Sequence, residues 1–163
     1  FDGHEPNISL SLFDSIQNAS IPTVLDAGSL SEGTKKLSSK VDYLVASEKF
    51  AIQYADDVST ALNRLAEIAP NVVITLGENG LIWQRGIESG KISAFPAIAI
   101  DSTGAGDAFH GAFAAAIVLG LDWLDILRYS SAAGTLCCTK MGAREGLPWQ
   151  QPHNELYTST IAI

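Results

Sequence analysis

The strongest constraint on the fold is an alternation. Three short β-branched or aliphatic runs, IPTVLDAG (21–28), VDYLVAS (41–47) and NVVITLG (71–77), are each closed by glycine or a capping residue, with helix-like stretches between them. Strands separated by a helix's length of chain pair in parallel through right-handed crossovers, so the expected product is a set of βαβ units. Helical patterning covers about 5–18, a segment near 32–38, and FAIQYADDVSTALNRLAEIA (50–69), which reads as one longer amphipathic helix or two shorter ones. Ser47 is placed to cap the helical stretch after it.

Beyond residue 77 the pattern changes. GENG joins VVITL to LIWQ, and GIESG joins that run to KISAF, as in an antiparallel meander. Pro96 interrupts, and AIAI (97–100) reads as an apolar strand leading into the next segment. Helices are then expected over about 104–119, from about 122 to 138 and from about 152, with a glycine-containing turn, KMGAREGLP, before the last. The class is α/β with a mixed sheet.

At 163 residues and 47% hydrophobic composition, the chain suits a single domain, 1–163. Phe1, Asp2 and Gly3 look like the end of a strand, with the helix-initiating EPNIS coming at once, so the sequence is expected to open inside a domain. Ten basic against eighteen acidic side chains give a net charge of −8, which disfavours nucleic acid or an anionic membrane surface as partner. No apolar run has the length of a membrane span, and no basic segment leads into an apolar one at the start. A soluble, cytoplasmic protein with a small-molecule substrate is the expectation.

Cys137 and Cys138 are neighbours, without C-x-x-C spacing, and read as small helix residues. His4, His110 and His153 are scattered and show no ligand spacing; a hard-cation site would have to be built from oxygens.

Several glycine-rich stretches invite a phosphate reading. In GSLSEGTKK, Gly28 and Gly33 have the separation of a P-loop, but Thr34 and Lys35 stand in the reverse of the order that loop needs, which aims both groups wrongly. TGAGDAFHG supplies Gly104 and Gly106 as G-x-G, but Phe109 occupies the third glycine position of a dinucleotide fingerprint, and no acid ends a second strand about twenty residues on. A dehydrogenase is disfavoured.

The residues of IDSTGAGDAFHGAFAAAIVLG (100–120) suggest something else. Gly104, Ala105 and Gly106 let backbone approach a ligand and turn successive N–H groups toward it at a helix start, where free donors and the dipole favour an anion. Asp107 follows in the first turn. A carboxylate there is ill suited to hold phosphate but well suited to take a proton from a hydroxyl that attacks it. Spacing alone serves an ordinary helix start equally well, since acids favour any first turn.

DSTGAGDAFHGAF resembles the C-terminal signature of the phosphofructokinase-B, or ribokinase-like, family of carbohydrate kinases, whose usual form is D-T-x-G-A-G-D before an apolar helix. VVITLGENGLIW is similar to the family's T-L-G-x-x-G nucleotide segment, and SSAAGTLCCTKMGAREGLP to its closing helix and cation loop. The resemblance implies a doubly wound, mostly parallel α/β fold with flanking helices and transfer of the ATP γ-phosphate to a sugar hydroxyl.

By motif, Asp107 would be the catalytic base, with Gly104, Ala105 and Gly106 forming the anion hole. Thr75, Gly77 and Gly80 would line the nucleotide, together with Ser47, and Ser131 would lie near the adenine. Asp101 and the Thr103 carbonyl, with backbone at Cys137, Lys140 and Gly142, would hold a monovalent cation such as K+. Two departures stand out. Where many members have N-x-x-E, Ser47 and Phe50 occupy the Asn and Glu positions, leaving Glu48 to meet Mg2+ through water; and Gly146 stands where relatives offer a side-chain oxygen to the cation.

The resemblance covers the C-terminal, nucleotide-binding and catalytic portion of a family member. The sugar-binding half and the β-sheet lid that often builds a homodimer are expected to lie outside these residues, leaving this chain alone nearly inactive. A nucleoside or vitamin kinase of the same superfamily, and a catalytically silent nucleotide-binding relative, are the alternative readings.

Overall fold

The computed structural model describes residues 1–16, 18–148 and 150–161. The chain divides into two compact units, one ending at Lys91 and one starting at Ile92. In the first, α1 (Pro6–Ile16), β1 (Val24–Ala27), α2 (Glu32–Leu37), β2 (Tyr43–Ser47), α3 (Glu48–Ala55), α4 (Val58–Ala66) and β3 (Asn71–Thr75) alternate as the aliphatic runs predict. β4 (Leu81–Arg85) and β5 (Glu88–Ile92) complete a mixed sheet in sequence order, β1-β2-β3-β4-β5. β1 pairs with β2 and β2 with β3 in parallel, while β4 runs antiparallel to β3.

One face of the sheet presents Leu25, Ala27, Leu44, Ala46, Val72 and Ile74 to Leu37, Phe50, Ala51, Ala61 and Leu65 of the helices. Val45 and Val73, which alternate with them, are also fully buried. Burial on both faces is why these strands read as continuous aliphatic runs and not as an alternating pattern. Each fully buried Leu, Ile or Val here contributes roughly 1.5–3 kcal/mol.

The long helical stretch resolves into two helices. Asp56 adopts a left-handed conformation (φ 62°) and its N–H closes α3 on the Ile52 carbonyl at 2.9 Å. Asp57 then caps α4, its Oδ1 accepting the Thr60 N–H at 2.9 Å. Asp tolerates this geometry because its short polar side chain bonds locally. The GSLSEGTKK segment is also a helix start: Ser31 caps α2, and the buried Thr34 hydroxyl accepts the Ser31 N–H at 2.8 Å.

The second unit is helical: α5 (Ala105–Val118), α6 (Trp123–Cys137), α7 (Ala143–Gly146) and α8 (Gln150–Ile161). α5 packs on α6 through Phe109, Phe113 and Trp123, with the Phe113 and Trp123 rings edge to face at 6.2 Å. Among the described residues, no helix is long and apolar enough to cross a membrane.

The structure departs from the sequence reading in three places. β5 is Glu88–Ile92 and not KISAF, so most of GIESG is strand and not turn. The AIAI run forms no strand, and the KMGAREGLP turn contains the short helix α7.

Candidate active site

The Gly-Ala-Gly-Asp turn is built where the chain enters α5. Gly104 stands at the helix N-cap with φ 80°, ψ 1°, and no side chain caps the helix. A Cβ at Gly104 would lie 2.5 Å from the Ala143 Cβ, so both the backbone angle and the space require glycine. The Ala105 N–H turns back to the Ser102 carbonyl at 3.2 Å. The following N–H groups belong to the first turn, which has no intrahelical acceptors. A Cβ at Gly106 would meet nothing within 4 Å, and Asp107 is exposed beside it.

This turn is tied to the end of α6 mostly by backbone. The Ile100 and Asp101 N–H groups both reach the Cys138 carbonyl, at 2.7 and 3.2 Å. Asp101 Oδ1 accepts the Thr103 N–H at 2.9 Å and the Thr103 hydroxyl at 2.7 Å, while Oδ2 accepts the Gly142 N–H at 2.8 Å. These bonds, the Thr103 hydroxyl's foremost, hold the Asp101 carboxyl below the usual carboxylate range. Cys137 is buried, with Sγ 3.6 Å from the Thr103 carbonyl oxygen. Burial first, then the charges of Cys138, Asp101 and Asp107, push its thiol pKa up, which keeps it a protonated donor.

Two more glycines permit close approach. A Cβ at Gly134 would lie 3.2 Å from the Ala105 carbonyl oxygen, and one at Gly146 would strike the Cys137 carbonyl. The place a side chain would take at position 146 is therefore filled by backbone. Lys140 is exposed in the segment between α6 and α7. Ser131 is half-buried on α6, its hydroxyl bonded to the Leu127 carbonyl at 2.8 Å.

The structure thus brings Asp101, Thr103, Gly104, Ala105, Gly106, Asp107, Cys137 and Gly142 into one constellation. Ser131 and Lys140 are not bonded into it. His110 was not singled out by sequence for this turn: its Nδ1 lies 2.7 Å from the Gly106 carbonyl oxygen. The only signal available was its position four residues after Gly106 on a helix.

In the first unit, Ser47 and Thr75 end β2 and β3 and are register partners at the carboxyl edge of the parallel strands, where α/β sheets bind ligands. Ser47 Oγ accepts the Phe50 N–H at 3.0 Å and donates to the Gly28 carbonyl at 2.8 Å, fulfilling the expected cap. Thr75 is followed by a single 3-10 turn, Gly77–Asn79, which Gly77 (φ 56°) and Gly80 (φ 86°) allow, and the Leu76 N–H closes it on the Gly80 carbonyl at 2.7 Å. Glu48 is exposed in the first turn of α3. Phe50 is fully buried and stacks on Tyr54 at 5.8 Å, so here that position belongs to the core.

Among the described residues, no three or more His, Cys, Asp or Glu side chains gather as a metal site.

Comparison with known proteins identifies the family. The family model for pfkB family carbohydrate kinases matches residues 10–150. The ribokinase of Lactococcus lactis subsp. lactis is 28% identical over 145 residues, covering 89% of this chain and 47% of its own length. Fructokinase-2 of Solanum lycopersicum is 29% identical over 154 residues, covering 89% of this chain and 44% of its own. The structure of Arabidopsis thaliana ribokinase complexed with ribose and ATP superposes with a TM-score of 0.84 at 26% identity, over 93% of this chain and 52% of that one. The chain spans about half the length of the curated relatives it matches. It belongs to the pfkB family of carbohydrate kinases.

Proposed function

We propose that this chain is the nucleotide-binding and catalytic portion of an ATP-dependent sugar kinase, with Asp107 as general base and the Gly104–Gly106 turn as anion hole. The observation that carries the reading is the uncapped first turn of α5, open over Gly106, with an exposed carboxylate at its edge. Kinship with ribokinases and fructokinases supports the reaction class, and the ribokinase of Arabidopsis thaliana is complexed with ribose and ATP.

In this mechanism Asp107 takes the proton of the sugar hydroxyl. The oxygen so freed forms a bond to the γ-phosphorus as the bond to the β–γ bridging oxygen breaks, and ADP leaves. The N–H groups of the turn meet charge on the transferring oxygens, already aimed because backbone holds them. Most of the acceleration comes from alignment and this charge stabilisation. Ser47, Thr75, Gly77 and Gly80 are the proposed nucleotide residues of the first unit, and Ser131 that of the second. Mg2+ on the nucleotide neutralises phosphate charge when bound, with Glu48 as the residue that would meet it through water. K+ is the proposed ion for Asp101 and the carbonyls of Thr103, Cys137, Lys140 and Gly142, where it would stiffen the turn.

The test is ADP release by the full-length protein, screened over sugars and nucleosides. Release with a sugar alone supports this reading. Release with a nucleoside alone reassigns the acceptor, and nucleotide binding without release makes the protein a silent relative. The 163-residue chain by itself is expected to turn over little, because phosphoryl transfer depends on a positioned acceptor.

A further inference from the structure

His110 sits one turn into α5, four residues after Gly106, with its Nδ1 2.7 Å from the Gly106 carbonyl oxygen. A carbonyl oxygen only accepts, so this ring nitrogen carries the proton and donates. By the helical pattern the same oxygen already receives the His110 backbone N–H, so the imidazole occupies its second lone pair. The Gly106 carbonyl and the Asp107 N–H are two ends of one peptide unit. A second donor on the oxygen fixes that plane and draws electron density toward it, which leaves the Asp107 N–H a stronger donor; linked hydrogen bonds strengthen one another by roughly 10–30%.

We infer that His110 is a positioning residue: it orients and polarises the Gly106–Asp107 peptide so that the Asp107 N–H is held toward the charge that develops on the transferring phosphoryl group. The Phe109 ring, 5.9 Å from the imidazole and edge-on to it, bounds one side of the ring. The inference rests on the kinase reading for its catalytic consequence, but the effect on the peptide exists without it. His110 itself touches no reacting atom in this scheme.

Two substitutions separate the donor from the ring. His110→Asn keeps an N–H donor near the place of Nδ1, and His110→Leu has similar bulk and no donor. In the full-length enzyme His110→Leu is expected to lower kcat about three- to tenfold with the KM for ATP unchanged, since weakening one preorganised donor costs less than removing it. His110→Asn should stay within about twofold of the unsubstituted protein, because the donor is retained. The second readout is the Asp107 backbone amide proton by NMR: an upfield shift in His110→Leu relative to His110→Asn, both lacking the ring, reports the lost polarisation. Equal kcat and equal Asp107 shifts in two folded variants overturn the inference. Should the unsubstituted protein release no ADP with any acceptor, the kinase reading fails, and the amide shift alone then decides whether His110 polarises this peptide.

Discussion

Adding one methyl group at two neighbouring glycines should have opposite consequences. Gly104→Ala places a Cβ on a residue held at φ 80°, and 2.5 Å from the Ala143 Cβ. The left-handed conformation costs a non-glycine residue about 1–2 kcal/mol. Forcing a methyl into filled space costs about 1–3 kcal/mol more. The sum, about 2–5 kcal/mol, corresponds to a fall in midpoint of about 4–20 °C for a protein of this size. Gly106→Ala puts the same methyl in the first turn of a helix with nothing within 4 Å, and should leave the midpoint unchanged or raise it by removing freedom from the unfolded chain. The assay is thermal unfolding of both variants monitored by circular dichroism, beside turnover in the full-length protein. Because the Gly106 methyl would stand where phosphate is proposed to approach, that variant should be stable and poorly active. A Gly104→Ala midpoint equal to that of the unsubstituted protein, or an equal fall in both, would refute the packing argument; a fully active Gly106→Ala would refute the approach over this turn.

The same constellation has other consequences. Asp107→Asn in the full-length enzyme should lower turnover by at least about a hundredfold at nearly unchanged ATP affinity, the usual share of a general base, and retained turnover removes Asp107 from the chemistry. With magnesium saturating, potassium should activate more than sodium; equal rates in the two salts count against a selective ion at Asp101 and its neighbouring carbonyls. The Asp101 carboxyl is held below the usual range by Thr103 and Gly142, so its stabilisation is present above about pH 4 and lost as pH falls through its lowered folded-state pKa. Asp101→Asn should therefore show a shallower loss of stability between about pH 5 and pH 2, measured by denaturant unfolding, and an unchanged slope would argue against these bonds.

The parallel strands were legible because burial on both faces writes them as aliphatic runs, and the start of α3 because Ser47 is an ordinary cap, whereas the Ser31 cap of α2 emerged only in the structure. The break between α3 and α4 was less so. Asp56 turns the chain left-handed without a glycine to announce it. β5 lies away from its expected place for a physical reason: Gly90 looks like turn punctuation, yet a Cβ there would lie 2.9 Å from the Trp83 indole, so that glycine makes room for a side chain. At the site, the Gly-Ala-Gly start of α5 with Asp107 in its first turn was legible as a helix start, while the chemistry proposed for it came from the family resemblance. What sequence did not disclose was most of their backing, since Ala143 and Cys138 act through a single methyl or a backbone carbonyl and carry no chemical signature of their own; Gly142 was placed near Asp101 only by the family resemblance. The burial of Phe50 likewise depends on the helices folding over the sheet.

That backing sets how still the turn can be. A catalytic loop propped by long side chains inherits their rotamers, and exposed rotamers hop on the picosecond to nanosecond scale. Here Gly104 abuts Ala143, Gly134 lies under the Ala105 carbonyl, Gly146 lies against the Cys137 carbonyl, and the Cys138 carbonyl receives two amides. Most parts of such a joint have no χ angle to change. The positions of the turn's N–H groups then track the slower motions of whole helices, and the Asp107 carboxylate, the proposed base, rides on the same rigid joint.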